Sequence, residues 1–154
     1  RRVTKLTKKF ARRAGWKDKT TSGICISKLV VDNFKTSADR DDKALRQTWL
    51  AIDAKLQTST AVDHPVLATK LASNGDVQVA FFRDCLSDAL ETLEVLDTAD
   101  CKRAEAREAW DEVFDTTYFT DQPDKDDDKA VKAAVMEVVS TLPARRNDGG
   151  GRFG

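Results

Sequence analysis

Glycine and proline are scarce in this sequence until its last few residues. Of 154 residues, 7 are glycine and 3 are proline, and four of the glycines lie within 149–154. Short strands joined by tight turns need both residues often, so their scarcity argues against a β-sandwich or a barrel. Leu, Val, Ala and Ile carry most of the 40% apolar content. The sequence therefore predicts an all-α domain of ordinary size with a real hydrophobic core.

Long apolar runs are also missing. No window approaches the roughly 18 apolar residues that a membrane-spanning helix needs. The N-terminus, Arg1-Arg2, leads into an amphipathic segment rather than the apolar core of a signal peptide. We therefore expect a soluble, cytoplasmic protein. Because the first residue is not Met, we expect a piece of a longer chain, with N-terminal processing as the alternative.

Cysteine and histidine are few. No two of Cys25, Cys85 and Cys101 have the spacing of a metal-ligand pair, and all three fall in helical patterns. This predicts reduced, buried thiols rather than a disulfide framework. The single histidine, His64, precedes Pro65 and is interpreted as a turn residue rather than a catalytic one.

Common catalytic motifs are absent from the sequence. No glycine-rich loop links a strand to a helix, which excludes a P-loop and a dinucleotide-binding fingerprint. There is no HExxH motif, and no Ser or Cys stands near a His in an elbow-like context. Asp126–Asp128 could hold a divalent cation, but an acidic run in a linker usually faces solvent. No metal site and no catalytic residue are predicted.

Charge is balanced overall but unevenly distributed. Residues 1–35 hold eleven Lys or Arg and two acids, a net charge of +9, which the rest of the chain offsets. Such a division suggests a face that meets an anion.

Hydrophobic periodicity predicts a bundle of about five to six helices. Long helices are expected over about 1–14, 23–35, 41–57, 76–96 and 99–115, with a short helix over 66–71. The second helix is apolar almost all round, which is typical of a buried helix. Thr20, Thr21 and Ser22 offer hydroxyls to cap it, and Ser73–Asp76 forms a turn that caps the helix after it. Tyr118 and Phe119 form an apolar tag that folds back on the bundle.

The C-terminal part has a different composition. An acidic linker covers 121–128, and a weak helical pattern covers 130–142. We therefore divide the chain into a helical lobe (1–119), a linker with a weak helix (120–143) and a flexible, disordered Gly-rich tail (144–154).

One candidate site lies in the basic segment. Lys5, Lys8 and Arg12 fall on one face of the first helix, and the turn Thr21-Ser22-Gly23 opens the second. A lysine, a hydroxyl and the free amides of a helix N-terminus together suit a polyphosphate. The alternative is a solvated basic face beside an ordinary helix cap.

These residues carry a resemblance to a known family. The stretch 3–16, then Thr21-Ser22-Gly23, then Ile26–Phe34 resembles the second lobe of the template-independent nucleotidyltransferases. The family includes oligoadenylate synthetase, cyclic GMP-AMP synthase and the bacterial CD-NTases. The resemblance implies that Lys8 and Ser22, with Thr21 beside it, contact a nucleoside triphosphate. Lys5 and Arg12 would add positive potential.

The later sequence is similar to the bacterial branch, so the resemblance covers about 1–119. His64-Pro65 resembles its Asp/Asn-Pro turn, and 104–114 resembles its Ala-rich helix. Two positions depart from the pattern. Gly23-Ile24 stand where an aromatic residue usually stacks on a base, and Phe114-Asp115 replaces a common Phe-Gly.

The resemblance implies an enzyme that joins nucleoside triphosphates into cyclic oligonucleotide signals in anti-phage defence. The family's catalytic lobe, with its Gly-Ser turn and metal-binding carboxylates, has no match here. Mg²⁺ and nucleoside triphosphates would be bound in the intact enzyme, while this chain alone holds no cofactor, binds weakly and catalyses nothing.

The tail has a hypothesis of its own. Residues 149–154 resemble the flexible C-terminus of ubiquitin-like proteins, where Gly154 would be ligated by a partner with ubiquitin-activating-like and ubiquitin-conjugating-like domains. The alternative is an unstructured Gly-rich end.

Two other classes of function compete with the nucleotidyltransferase interpretation. The chain could be a helical binding module whose basic face contacts nucleic acid. It could also be a structural bundle whose uneven charge distribution binds no ligand.

Overall fold

The computed structural model describes residues 1–16, 18–38 and 40–123. Within them lie five α-helices: α1 (Arg2–Phe10), α2 (Gly23–Asp32), α3 (Asp41–Thr58), α4 (Val77–Thr92) and α5 (Arg103–Phe114). A 3-10 helix, Leu93–Asp97, follows α4, and two short strands, β1 (Val62–Asp63) and β2 (Lys70–Ala72), form an antiparallel pair. The predicted all-α helical bundle is confirmed, with this small sheet as an addition.

The core of the bundle centres on Phe10, the last residue of α1, which is fully buried. Its ring packs against one aromatic side chain from the loop after α1 and one from each of α3, α4 and α5. The centroid distances are 5.2 Å to Trp16, 4.7 Å to Trp49, 6.4 Å to Phe82 and 6.5 Å to Phe114. One cluster therefore holds four helices together, and Arg1–Thr120 forms one compact unit.

The first two helices are shorter than predicted. α1 ends at Phe10 rather than near residue 14, and a turn follows in which Gly15 has a φ of 80°. α2 ends at Asp32 rather than near Lys35. The expectation that α2 is buried all round is wrong, because Val31 is 69% exposed. Only one face of α2 packs on the core, and its apolar composition hid that asymmetry.

The predicted short helix over 66–71 is wrong, because part of this stretch pairs as a strand. Val62 pairs with Ala72 and Asp63 with Lys70, which makes a hairpin beside α2. His64 lies in the loop as expected, where its Nδ1 accepts the N–H groups of Val66 and Leu67 at 3.2 and 3.0 Å. Val66 is 85% exposed, so this stretch has no apolar face of the kind that stabilises a short helix.

The last two helices also differ from prediction at their ends. The regular part of α4 stops at Thr92, and the remaining turn to Asp97 is 3-10. α5 begins at Arg103 rather than near residue 99, so Cys101 lies outside any helix, against expectation. Phe119 packs on Trp110 and Phe114 with centroid distances of 6.5 and 6.1 Å, which confirms the predicted return for this residue, while Tyr118 is 60% exposed.

No helix among the described residues is both long enough and apolar enough to cross a membrane. The acidic run Asp126–Asp128, the weak helix over 130–142 and the Gly-rich tail, with Gly154, lie outside the described residues.

Candidate anion-binding site

The orientation of α1 is fixed by its buried face. Thr7 and Phe10 are fully buried, and the indole N–H of Trp49 on α3 donates to Thr7 Oγ1 at 2.9 Å. This bond prevents α1 from rotating about its own axis, since a buried polar group without a partner is costly. The basic residues of α1 consequently stay on the opposite, outer face of the helix. Lys5 and Lys9 are exposed there, and Lys8 is half-buried.

The start of α2 presents unpaired backbone donors. Ser22 caps the helix: its Oγ accepts the N–H of Cys25 at 3.3 Å, and its carbonyl accepts the N–H of Ile26 at 3.0 Å. The N–H groups of Gly23 and Ile24 have no acceptor within the described part of the chain. A helix N-terminus with free amides carries a partial positive charge and attracts anions.

Lys8 lies directly against this helix start. A Cβ atom placed on Gly23 would be 3.8 Å from Lys8 Cε and 3.9 Å from Lys8 Nζ. The Lys8 ammonium group therefore lies close to Gly23, which has no side chain and whose N–H has no acceptor among the described residues. This combination suits a compact anion such as phosphate, because charge and hydrogen-bond donors converge where no side chain intrudes.

Lys8 and Gly23 also line a cavity of about 590 Å³ between α1, the loop that follows it and α2. Arg12 and Arg13 add positive charge to its wall, and Ala11, Ala14 and Ile26 make an apolar part. The remaining lining residues are Gly15, Asp18, Thr20 and Thr21. A volume of this size is ordinary for a site that takes a small molecule.

A second, shallower groove adjoins the cavity. It has a volume of about 460 Å³ and is lined by Lys5, Lys8, Lys9 and Arg12. Lys8 and Arg12 line both the groove and the cavity. Across the residues that the structure describes, none of the four forms an ion pair with an acid. Their charge is therefore available to a ligand.

The loop between α1 and α2, which forms one wall of the cavity, is firmly anchored. The ring of Trp16 packs edge-on against Phe10 and Phe81, with centroid distances of 5.2 and 6.0 Å. Arg13 Cζ lies 4.9 Å from the Trp16 ring centroid, and Arg13 Nη1 donates to the carbonyl of Val113 at 3.2 Å. Arg13 is therefore engaged in holding the loop, unlike Lys8 and Arg12.

The structure brings most of the predicted ligand residues to one place. Lys8, Arg12 and Thr21 line the cavity, and Lys5 lies in the adjoining groove. Ser22 is exposed at the start of α2 but lines neither of them. Its hydroxyl oxygen accepts from Cys25, which leaves the hydroxyl hydrogen free to be donated. Their roles in binding a triphosphate stay predictions.

Thr21 is buried and borders a thiol. Burial raises the pKa of Cys25, and the neighbouring Thr21 hydroxyl opposes part of that rise. Cys25 is fully buried, so it stays a neutral thiol at the base of α2 rather than a reactive group facing the cavity.

Several lining residues were not found by sequence reasoning. Gly15 and Asp18 belong to the loop after α1 and were assigned no role, and Thr20 was considered only as a cap of α2. Gly15 was the one signal, because a glycine just past a basic helix suggests a reversal of the chain. Ile26 shares the apolar pattern of α2 and cannot be told from a core residue by periodicity.

The resemblance implies that Mg²⁺ is bound in the intact enzyme, so we asked which side chains could coordinate it. Within residues 1–16, 18–38 and 40–123, no group of three or more His, Cys, Asp or Glu side chains could hold a metal ion. The described residues therefore do not fit the family's carboxylate site. Among the described residues that line the cavity, Asp18 carries the single carboxylate, and the others are cationic, hydroxylic, apolar or glycine.

Comparison with known proteins finds no relative: no protein-family model, no curated protein and no solved structure matches the chain. Support for a function therefore comes from the geometry of this site and from the residues that line it.

Proposed function

We propose that this chain is the nucleotide-holding helical lobe of a template-independent nucleotidyltransferase of the bacterial CD-NTase kind. The complete enzyme would join nucleoside triphosphates into cyclic oligonucleotide signals for anti-phage defence, with its catalytic lobe outside this chain. The supporting observation is that Lys8 Nζ lies close to Gly23, the first residue of α2, and that both residues line one cavity.

The proposed binding mode follows from the chemistry of the cavity. The triphosphate would lie between Lys8 Nζ and the N–H groups of Gly23 and Ile24, where positive charge and donors converge. Arg12 adds a second positive charge on the same wall. Ser22 would donate its hydroxyl hydrogen to a phosphate oxygen while still capping α2. The apolar wall of the cavity would take the nucleoside.

This binding mode does not use magnesium held by the chain, because the described residues supply no carboxylate cluster. The lobe would bind and orient the triphosphate, and charge neutralisation by metal would belong to the catalytic lobe. Binding to the isolated chain should therefore be detectable without magnesium.

The test is titration of the purified full chain with ATP and GTP by isothermal calorimetry at low salt. Lys8→Ala should weaken binding about tenfold or more, since a tenfold change corresponds to about 1.4 kcal/mol, ordinary for a charge-assisted hydrogen bond. Lys43→Ala is the matched control, because Lys43 is an exposed lysine on α3 that lines neither the cavity nor the groove. Equal affinities of the two variants would remove Lys8 from the site.

In an enzyme carrying both lobes, Lys8→Ala should cut product formation strongly while Lys43→Ala leaves it unchanged. Circular dichroism of both variants checks that the helical content is intact. Near-normal synthesis by the folded Lys8→Ala enzyme would contradict the proposal.

A second function is favoured by the groove of Lys5, Lys8, Lys9 and Arg12. Four unpaired cations in a row would also suit the backbone of a nucleic acid. The salt dependence of binding separates the two functions. Duplex binding that falls steeply with salt, with no preference for triphosphates, favours a nucleic-acid-binding module. Saturable binding of mononucleotides that Lys8→Ala abolishes favours the nucleotidyltransferase lobe.

A further inference from the structure

The cavity contains one acid among its cations. Asp18 is the single Asp or Glu among the described residues that line it, and the same lining includes Lys8 and Arg12. The Asp18 carboxylate has no hydrogen-bond or ion-pair partner among the residues that the structure describes. Asp18 lies in the loop after α1, and the phosphate-binding mode does not use it.

The loop holds Asp18 in a defined position. Its φ of 67° is left-handed, a conformation that Asp and Asn tolerate better than most side chains. The N–H groups of Lys19 and Thr20 donate to the carbonyl of Trp16 at 3.0 and 3.3 Å, which closes the turn around it. Gln78 Nε2, from α4, donates to the Asp18 carbonyl at 3.1 Å. The backbone of Asp18 is thus held by the turn itself and by a hydrogen bond from α4.

A carboxylate is unfavourable in a site that takes only phosphate, because like charges repel. An ionised carboxylate accepts hydrogen bonds and donates none. Its useful partners in a ligand are therefore neutral donors, such as sugar hydroxyls or the N–H groups of a base. A nucleoside carries such donors, while bare polyphosphate carries none.

We propose that Asp18 is a specificity residue that accepts hydrogen bonds from the nucleoside part of a nucleoside triphosphate whose phosphates lie at Lys8. The cavity would then select nucleotides over inorganic polyphosphate. Its cations would bind the phosphates at one end of the ligand, and Asp18 would bind the nucleoside at the other end. This inference rests on the proposed function, since it needs a triphosphate in the cavity.

The test compares three ligands and two variants of the full chain. ATP and GTP carry the donors, and inorganic tripolyphosphate is the matched ligand without them. Asp18→Asn removes the negative charge while keeping a side chain suited to the left-handed backbone. Asp18→Gly removes the side chain altogether and also suits that backbone.

Both variants should bind tripolyphosphate more tightly than the wild-type protein, because a repelling charge is gone. Both should bind at least one of the nucleoside triphosphates about tenfold more weakly. Asp18→Gly removes the acceptor, and Asp18→Asn replaces a charged group with two accepting oxygens by a neutral amide with one. Tighter binding of tripolyphosphate and of both nucleotides by both variants would overturn the inference, as would unchanged binding of all three.

Further ligands distinguish the two sources of donors. A loss confined to GTP points to the N–H groups of guanine, and an equal loss for ATP and GTP that disappears with 2′-deoxy or 3′-deoxy ATP points to a sugar hydroxyl. Either pattern supports the role of Asp18. If wild-type protein binds neither tripolyphosphate nor nucleotides, the proposed function fails and the inference fails with it. If wild-type protein binds them and the Asp18 variants bind nucleotides undiminished, only the inference fails.

Discussion

The indole N–H of Trp49 donates a 2.9 Å hydrogen bond to Oγ1 of Thr7, in a region where both side chains are fully buried. The Thr7 hydroxyl in turn donates to the carbonyl of Val3 at 2.9 Å. The pair joins α3 to α1 and fixes which face of α1 is turned outward. Since Lys8 is the next residue along α1, the same bond helps to set the lysine beside α2.

Thr7→Val should destabilise the protein by about 1–3 kcal/mol, because it keeps the shape of the side chain but leaves the Trp49 N–H buried without an acceptor. Urea unfolding followed by tryptophan fluorescence measures the change. Thr4→Val is the control, since Thr4 is a half-buried threonine on the same helix with no such bond to Trp49. Equal loss in the two variants would show that the Thr7–Trp49 bond contributes nothing.

Gly23→Ala should separate binding from folding. Gly23 is the first residue of α2, and a Cβ there meets Lys8 only at ordinary contact distance, so we expect stability to rise by about 0.4–1 kcal/mol. The methyl group would occupy the space beside Lys8 Nζ that an anion needs, and triphosphate affinity should fall about tenfold, or about 1.4 kcal/mol. Urea unfolding and calorimetry report the two effects. A stabilised variant with unchanged affinity would place the anion elsewhere.

Asp111 should make stability depend on pH. Its buried carboxylate accepts the N–H groups of Phe119 and Thr120, each at 2.8 Å. Burial by itself would raise the pKa of Asp111, but these hydrogen bonds outweigh it and hold the pKa below its ordinary value. A lowered pKa in the folded state means that the stabilisation is complete above the unfolded pKa of about 3.9. It is lost as the pH falls through the folded value.

Asp111→Asn should therefore lower the urea midpoint at pH 7, and the difference from wild type should narrow as the pH falls below about 4. Midpoints measured from pH 7 to pH 3 test this. Glu112→Gln, at an exposed position on the same helix, should show no such narrowing. A constant difference across the range would mean that the charge of Asp111 is irrelevant and that only its shape matters.

The three cysteines should differ in reactivity. Cys25 is fully buried and Cys85 is 9% exposed, and burial raises the pKa of both thiols, which lowers their thiolate fraction. Cys101 is half-buried in the loop before α5. A chromogenic disulfide reagent should therefore titrate one thiol in the native protein and three in denaturant. Cys101→Ser should leave the native protein unreactive, and rapid reaction of that variant would contradict the burial of the other two.

Local features of the fold could be predicted from the sequence because their causes are local. Ser22 caps α2 and Asp76 caps α4. Each side chain accepts a hydrogen bond from a backbone N–H group two or three residues further along the chain. Apolar residues at helical spacing predicted α4, and the apolar pair after α5 predicted that the chain packs back on the bundle, as Phe119 does. In each case the residue and its partner are close in sequence.

The sequence-based predictions of secondary structure and burial were wrong where contacts with residues distant in sequence decide the local structure. Residues 66–71 could pass for a short helix until the pairing of Lys70 with Asp63 was seen. α2 is apolar along its whole length, so its composition could not show that Val31 faces outward while Val30, beside it, is buried. A strand partner and a helix's buried side are both set by neighbours that the local pattern does not contain.

The sequence by itself determined an all-α bundle, a lysine helix, and a hydroxyl turn opening the next helix, since these depend on spacing and residue type. Only the tertiary structure decided that Lys8 meets Gly23 and that Asp18 lines the same cavity. Long-range packing accounts for the difference: the aromatic neighbours of Phe10 anchor the end of α1 and the loop after it, and contacts between α1 and α2 set the angle between the two helices. A cavity between two helices depends on that angle, and no run of residues along one helix encodes it alone.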